Sequence, residues 1–303
     1  MHESVLLKQI KLIMHDRQEN KMEKETNLQK AQRINMILLK EIDRFCKKYN
    51  LKYYLICGGL LGAIRHQGFI PWDDDVDVAM TRKDYDILLK HAKEEWRDSD
   101  FMFVKYNEMG GGAFLDFFSR LLYMKEEVPL KTFHKIKGKG REDVQNHVPL
   151  DIYILENAPD DEKKFIRKYN YITYIYGLAM GHRSYVDMSE YGKYDDKMHK
   201  NIKYATAIGR FIPLRLLLFV YERICRSCEK YTDSKNYFVS NGFIFCVRQR
   251  HPKEWFAEGT YVPIEGELFL APKMYDEELR FFYGDYMQLP PEERRKPDHV
   301  IED

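Results

Sequence analysis

The sequence predicts an α+β chain: a small mixed sheet flanked by helices in its first half, and a mainly helical second half. Three observations carry that prediction. Apolar residues recur at helical spacing before residue 50. Short apolar or alternating runs follow, bounded by turn residues, and these are the length of strands rather than helices. Beyond Pro159 the pattern becomes helical up to about residue 232.

Taken in order, residues 1–30 are charged and weakly patterned, and are expected to form an N-terminal helical extension. "INMILLKEIDRFCKKYN" puts Ile34, Leu38, Ile42 and Phe45 on one stripe, and Asn50 suits a left-handed cap. "YYLICGG" reads as a strand broken at Gly58-Gly59, and "LLGAIRH" as a helix. Gly68 and Pro71 mark a turn. In "DVDVAM" the alternation from Asp75 to Val78 has the period of a half-buried strand. Thr81, three residues ahead of Asp84, opens a helix with Tyr85, Leu88, Leu89 and Ala92 inward. "FMFVKY", "LDFFSRLLYM" and "VPLDIYIL" are further strands, and the glycine-containing basic stretch "HKIKGKGREDVQNH" is a loop. A short β-containing tail surrounds "GTYVPIEGELFLAP". The expected division is 1–30 as extension, 31–158 as catalytic core, and 159–303 as a mainly helical region with a short β tail.

Charge narrows the function classes. The chain has 303 residues, with 49 basic against 48 acidic side chains. That balance gives no polyelectrolyte signature, so a nucleic-acid partner is not expected. No stretch reaches the roughly 18 apolar residues of a membrane span, and the opening residues lack an apolar core followed by a cleavage site. With five cysteines, an odd count, reduced thiols in a cytoplasm are the expectation. Cys225-x-x-Cys228 with Cys246 and His251 can be read as a zinc site or as core thiols. "FVYERICRSCEKY" reads as one helix, which favours thiols. "FIPLRLLLFV" is too short to span a bilayer; a buried helix and a peripheral contact with the inner membrane face both remain open.

The densest chemistry lies in "RHQGFIPWDDDVDVAM", with four Asp in five positions beside apolar residues. Such carboxylates repel each other and cost desolvation energy when buried. On a strand, Asp75 and Asp77 project from one face while Val76 and Val78 pack behind them. Two carboxylates on one rigid face suit a divalent cation that leaves sites for phosphate, and Asp151 in "VPLDIYIL" offers a third. An acidic surface turn does not explain the interleaved valines. An EF-hand would use Asp73, Asp75, Asp77 and Asp84, but its sixth position is Val78 where the turn needs Gly. Gly58-Gly59 lets backbone amides approach a phosphate at a helix start. The order strand–Gly-Gly–helix, Asp-x-Asp strand, later lone Asp is that of nucleotidyltransferase-type folds.

"GGLLGAIRHQGFIPWDDDVDVAM" closely resembles the defining motif of the LicD family, phosphotransferases of nucleotidyltransferase-like fold that include bacterial phosphocholine transferases and the animal fukutin-related proteins. The resemblance extends to "LKEIDRFCKKYNLKYYL", "DIYILENAP" and "YGDYMQLPPEERR", and so covers most of residues 31–300. It implies a catalytic, metal-binding set of Asp75, Asp77 and Asp151, and Mg²⁺ as cofactor with Mn²⁺ as an alternative. Gly58, Gly59, Arg65, His66, Trp72 and Arg120 are the expected substrate contacts, Arg65 and Arg120 through phosphate. It further implies a CDP-activated alcohol donor, CDP-choline first, and a glycan or lipid-linked glycan acceptor such as a teichoic acid or lipopolysaccharide precursor. Gly59 stands where the family usually has Thr, and "IEGELFLAP" lacks the Phe common before Glu-Gly. These departures leave the aspartates intact and the donor alcohol open. The alternatives are transfer of ribitol, glycerol or ethanolamine phosphate, or an inactive glycan- or lipid-binding partner.

Overall fold

The computed structural model describes residues 25–106, 108, 114–131, 146–183, 196–242, 244–301 and 303. The expected extension over 1–30 falls outside these up to residue 24, and the expected basic loop over 134–147 up to residue 145.

Helix α1 (Asn27–Tyr49) opens on Thr26, whose hydroxyl accepts from Gln29 N while the Gln29 side chain returns a bond to Thr26 N. Asn50 closes it at φ 54°, the left-handed geometry its side chain tolerates. Strand β1 (Tyr54–Leu55) is shorter than expected, because helix α2 (Cys57–Arg65) already begins before the glycine pair. Strand β2 (Val76–Thr81) hands directly to α3 (Arg82–Glu95), capped by Thr81 accepting from Asp84 N. Strands β3 (Phe101–Val104), β4 (Ser119–Tyr123) and β5 (Pro149–Ala158) complete the central part.

The sheet runs β1-β2-β5-β4-β3, with β2 and β5 parallel and the remaining pairs antiparallel. Strand β6 (Asn236–Val239) adds to the later half of β5, and β7 (His251–Pro252) adds to β6. Between β4 and β6 the edge of β5 would be left open. The buried Asn241 side chain closes it, accepting from Ile154 N at 2.8 Å and donating to Ile152 O at 2.8 Å.

Alternation sends the two faces of these strands into different surroundings. Val76, Val78, Met80, Leu121, Leu150, Ile152 and Ile154 pack against Ile34, Leu38, Leu39 and Ile42 of α1 and Tyr85 and Leu88 of α3. Burying each such side chain contributes about 1.5–3 kcal/mol, so this face holds the sheet to its helices. Along the other face Ala79, Phe118, Tyr153, Leu155 and Val239 form a smaller cluster with Tyr54, Trp255 and Phe256. That cluster gives out where Asp77 and Asp151 begin.

The second half contains α4 (Glu162–Ala179), α5 (Asp196–Gly209) and α6 (Leu214–Arg226), the helical region expected up to about 232. They share a core of Phe165, Ile172, Tyr176, Ile202, Leu217 and Tyr221, and Cys225 and Cys228 are buried in it. A one-turn helix, α7 (Ile244–Val247), precedes β7. The expected β tail is the hairpin of β8 (Gly259–Ile264) and β9 (Glu267–Pro272), and α8 (Tyr275–Tyr283) follows it. This architecture, a curled mixed sheet flanked by helices, is α+β.

Candidate active site

Residues Asp77 on β2 and Asp151 on β5 are register partners on neighbouring parallel strands, so both side chains leave the same face of the sheet side by side. Asp75 lies two residues before Asp77, just ahead of the first strand position. Its companions Asp73 and Asp74 have different neighbours. Asp74 is fully buried: its Oδ2 accepts from His299 N at 2.8 Å and Val300 N at 2.5 Å, and its Oδ1 lies 3.0 Å from His299 Nδ1. It fastens the chain's last residues beneath the acidic loop. Asp73 Oδ2 is buried with no hydrogen-bond partner. It sits against the first turn of α2, where a Cβ on Gly58 would come within 2.3 Å of it. Only glycine permits that approach.

Polar side chains of α1 hold the acidic loop from the other side. Gln32 Nε2 donates to Ile70 O at 3.1 Å and Asp73 O at 2.9 Å, and the buried Asn35 Nδ2 donates to Asp74 O at 3.0 Å. The loop is therefore built around its backbone carbonyls, which leaves the carboxylates to face one another.

Electrostatics follow from that crowding. Burial pushes Asp77 well above the ordinary carboxylate range, and the charges of Asp75, Asp151 and Asp73 add to it. Asp73 is raised well up by burial and by Asp75. For Asp75, burial raises the carboxyl and the nearby His299 partly offsets it. Asp151 is raised by burial to about 6, against the opposing pull of Arg120. Burial disfavours the charged form of His299, but its hydrogen bond to Asp74 and the charges of Asp75, Asp74 and Asp151 outweigh it and lift the imidazole to about 10.

Arg120, the β4 register partner of Asp151, is buried. Its Nε lies 2.8 Å from Asp151 Oδ1, and its two terminal nitrogens donate to Asp116 Oδ1 and Oδ2 at 2.9 and 2.8 Å. In this arrangement it clamps two carboxylates and fixes the orientation of Asp151. Six carboxylates (Asp73, Asp74, Asp75, Asp77, Asp116 and Asp151) thus gather around two cations, Arg120 and His299. Their hard oxygen donors, the excess negative charge and the unpartnered Asp73 Oδ2 fit a divalent cation. Among the described residues, the three potential ligands whose atoms fall within 4.8 Å of one another are Asp74, Asp75 and His299. The expected trio of Asp75, Asp77 and Asp151 is more open than that.

The remaining expected contacts divide. Gly58 and Gly59 occupy the first turn of α2, where amides have no intrahelical acceptor and no side chain caps the end. Cys57 before them holds φ 50°, an uncommon geometry for a residue with a Cβ. Arg65 donates to Tyr286 O at 2.8 Å and His66 Nε2 at 3.0 Å, so it ties α2 to the segment after α8. His66 meets the edge of Trp72, with ring centroids 6.3 Å apart. The Trp72 face lies under the Arg295 guanidinium, 5.6 Å from the ring centre. His299 was not singled out from the sequence. It lies 225 residues from Asp74 in a segment with no periodic signal.

The fold and site define an α+β protein with a sheet-borne acidic centre next to a helix N-terminus. A family model described as LicD/FKTN/FKRP, nucleotidyltransferase domain, matches residues 50–147. The Haemophilus influenzae protein named lipopolysaccharide cholinephosphotransferase LicD is 27% identical over 295 residues, 92% of this chain and 98% of that one. An uncharacterised protein of Rickettsia typhi is 30% identical over 131 residues, 42% of this chain and 37% of its own. These similarities, a family model over residues 50–147 and a relative aligned along most of the chain, support a phosphotransferase of LicD type.

Proposed function

We propose that the protein transfers an alcohol phosphate from a CDP-activated donor to a hydroxyl of a cell-surface glycan or its lipid-linked precursor, with phosphocholine from CDP-choline as the first candidate. The observation that carries the reading is the Asp77–Asp151 register pair, whose carboxyls burial raises above their ordinary range beside the α2 N-terminus. The similar Haemophilus protein, named for cholinephosphate transfer to lipopolysaccharide, supports the choice of donor and acceptor.

The parts act as follows. Amides of Gly58 and Gly59 at the helix start donate to the anionic pyrophosphate. Asp75, Asp77 and Asp151 would hold Mg²⁺ or Mn²⁺, which when bound neutralises phosphate charge and fixes in-line geometry. The acceptor hydroxyl attacks the phosphorus that bears the alcohol. The bond from that phosphorus to the bridging oxygen breaks, and CMP leaves. The hydroxyl proton passes to a carboxylate within hydrogen-bond reach, a role to which Asp151 is assigned. Arg120 keeps that carboxylate aimed at the site, and His299 restrains Asp75.

A second donor class has one observation in its favour. The Trp72 face, the ring in the motif available for a quaternary ammonium, already carries Arg295. An uncharged alcohol such as ribitol or glycerol would not compete for it. Calorimetric titration of CDP-choline, CDP-ribitol, CDP-glycerol and CDP-ethanolamine with Mg²⁺ tests both readings. Binding of one donor, lost in Asp77→Asn, identifies the alcohol. A folded protein that binds none of the four with metal present sinks the proposal.

A further inference from the structure

The helical second half has a well-packed interior yet an outer face that remains apolar. Tyr171 and Tyr174 of α4, Tyr204 and Ile208 of α5, Phe211 in the turn, and Leu216 and Phe219 of α6 are all exposed. Phe211 reaches 84% exposure and Tyr204 69%, far beyond what a core side chain shows. These residues lie on elements that pack directly together. Gly177 of α4 meets Ala205 of α5, and Gly209 at the end of α5 lies against Leu178. His182 Nε2 bonds Ile212 O at 2.8 Å across the α5–α6 turn. The exposed set therefore lies on three helices and a turn that pack together, and it is distinct from the inward residues Ile172, Ile202, Leu217 and Tyr221.

Charge along α5 and into α6 is of one sign over a long stretch. From Lys197 to Tyr221 the chain has no Asp or Glu. Lys197, Lys200, Lys203, Arg210 and Arg215 are all exposed, and among the described residues none is paired with a carboxylate. This contrasts with the rest of the surface, where Arg33, Arg44, Lys48 and Arg226 each sit in ion pairs. An otherwise charge-balanced protein has placed unpaired cations around exposed aromatic rings.

We propose that the α4–α5–α6 face docks on an anionic lipid surface. Aromatic and aliphatic side chains enter the interfacial layer while the surrounding Lys and Arg meet lipid phosphates. Contact is peripheral, since no described helix is long and apolar enough to cross a membrane. The pattern suits a bilayer better than a protein groove, because the cations are spread around the apolar residues and not matched to discrete partners. A lipid-linked acceptor would then reach the site along the surface on which the enzyme sits. The docking itself does not depend on the donor reading.

The test is co-sedimentation of the full chain with vesicles of phosphatidylcholine alone and of phosphatidylcholine mixed with phosphatidylglycerol, at low and high salt. Two variants accompany it: Lys203→Glu with Arg215→Glu, and Phe211→Ser with Phe219→Ser. All four positions are exposed, so circular dichroism and donor binding are expected to match wild type. The expected result is binding to the anionic vesicles alone, weakened by salt, and weakened about tenfold or more by each variant pair; one basic residue corresponds to about fivefold. Absence of binding, equal binding to both lipids, or binding that neither pair alters overturns the proposal. So does a dimer by light scattering that the Phe variants dissociate without vesicle binding, which would assign the face to a second copy.

Discussion

The two faces of β2 and β5 are made by the same ten-odd residues of chain, yet they obey opposite rules. Val76, Val78, Leu150, Ile152 and Ile154 turn toward α1 and α3 into an apolar core, and the one carboxylate that β5 sends the same way, the buried Glu156, is paired with Arg82 of α3. Asp77 and Asp151, interleaved with them, turn the other way, where burial first and neighbouring carboxylates second raise both carboxyls. One face contributes stability, and the other opposes it. The apolar face is what allows the acidic face to exist, because a strand anchored by several valines and isoleucines tolerates a repulsive pair on its reverse side.

Separating the faces by mutation gives the largest contrast. Asp77→Asn is expected to lower transfer by about 10²- to 10³-fold or more, the size associated with removing one electrostatic stabiliser. The same change is expected to leave the melting temperature equal or higher. The sign follows from the raised folded carboxyl: its ionised form costs folding free energy at neutral pH, and Asn removes that cost. Initial rates and a thermal melt on one preparation check both halves. A variant that loses activity by unfolding would break the contrast.

The mirror experiment is Ile152→Ala, one residue along from Asp151 but on the opposite face. It is expected to cost about 2–5 kcal/mol of stability in denaturant titration, from lost burial and the cavity left behind. Donor affinity of the folded protein is expected to be unchanged. A changed donor affinity would mean that the faces communicate through the strand, and that the division drawn above is too sharp.

Metal addition sharpens the comparison further. Mg²⁺ at a hundredfold excess over its dissociation constant stabilises a folded state that binds it by about 2.7 kcal/mol. Wild type and Ile152→Ala are both expected to show a rise in melting temperature, and Asp77→Asn to show little or none. An equal rise in Asp77→Asn would shift the cation toward the Asp74, Asp75 and His299 group.

How much of this was legible beforehand depends on range. The α1 stripe, the Asn50 cap, the Thr81 cap and the alternation from Asp75 to Val78 are local, and each was readable from neighbouring residues. Long-range features were not. The hold of Asp74 on His299 and Val300 spans more than two hundred residues, and Arg65 is spent on carbonyls near residue 286 rather than on any local partner. Strand β6 is four residues, "NYFV", too short to show a period, although Thr232–Ser234 and Ser240–Gly242 bracket it with turn residues. The glycine pair follows a strand, as its sequence implies, but lies inside the helix, since Cys57 takes a left-handed geometry that propensity does not anticipate. Local periodicity supplied the elements and the carboxylates, and only the fold could say which of those carboxylates share a face and which are spent on structure.

The smallest effect belongs to a carboxylate far from the site, and it reverses the sign seen at Asp77. Glu95, at the end of α3, accepts from Lys48 Nζ and Tyr49 OH at 2.7 Å each and from Arg44 at 2.8 Å. The Lys48 hydrogen bond leads the causes that hold it at about 2, below the ordinary 4.5. A folded value below the unfolded one contributes stability that is fully present above about 4.5 and is lost as pH falls through 2. Lys48 and Arg44 are half exposed, so solvent screening limits the gain, and Glu95→Gln is expected to cost about 1 kcal/mol at neutral pH. The gap between wild type and variant should close steadily on acidification, as read by denaturant midpoints at a series of pH values. A gap that persists in acid would assign the effect to packing between α1 and α3, and would leave charge pairing as a feature of the acidic site alone.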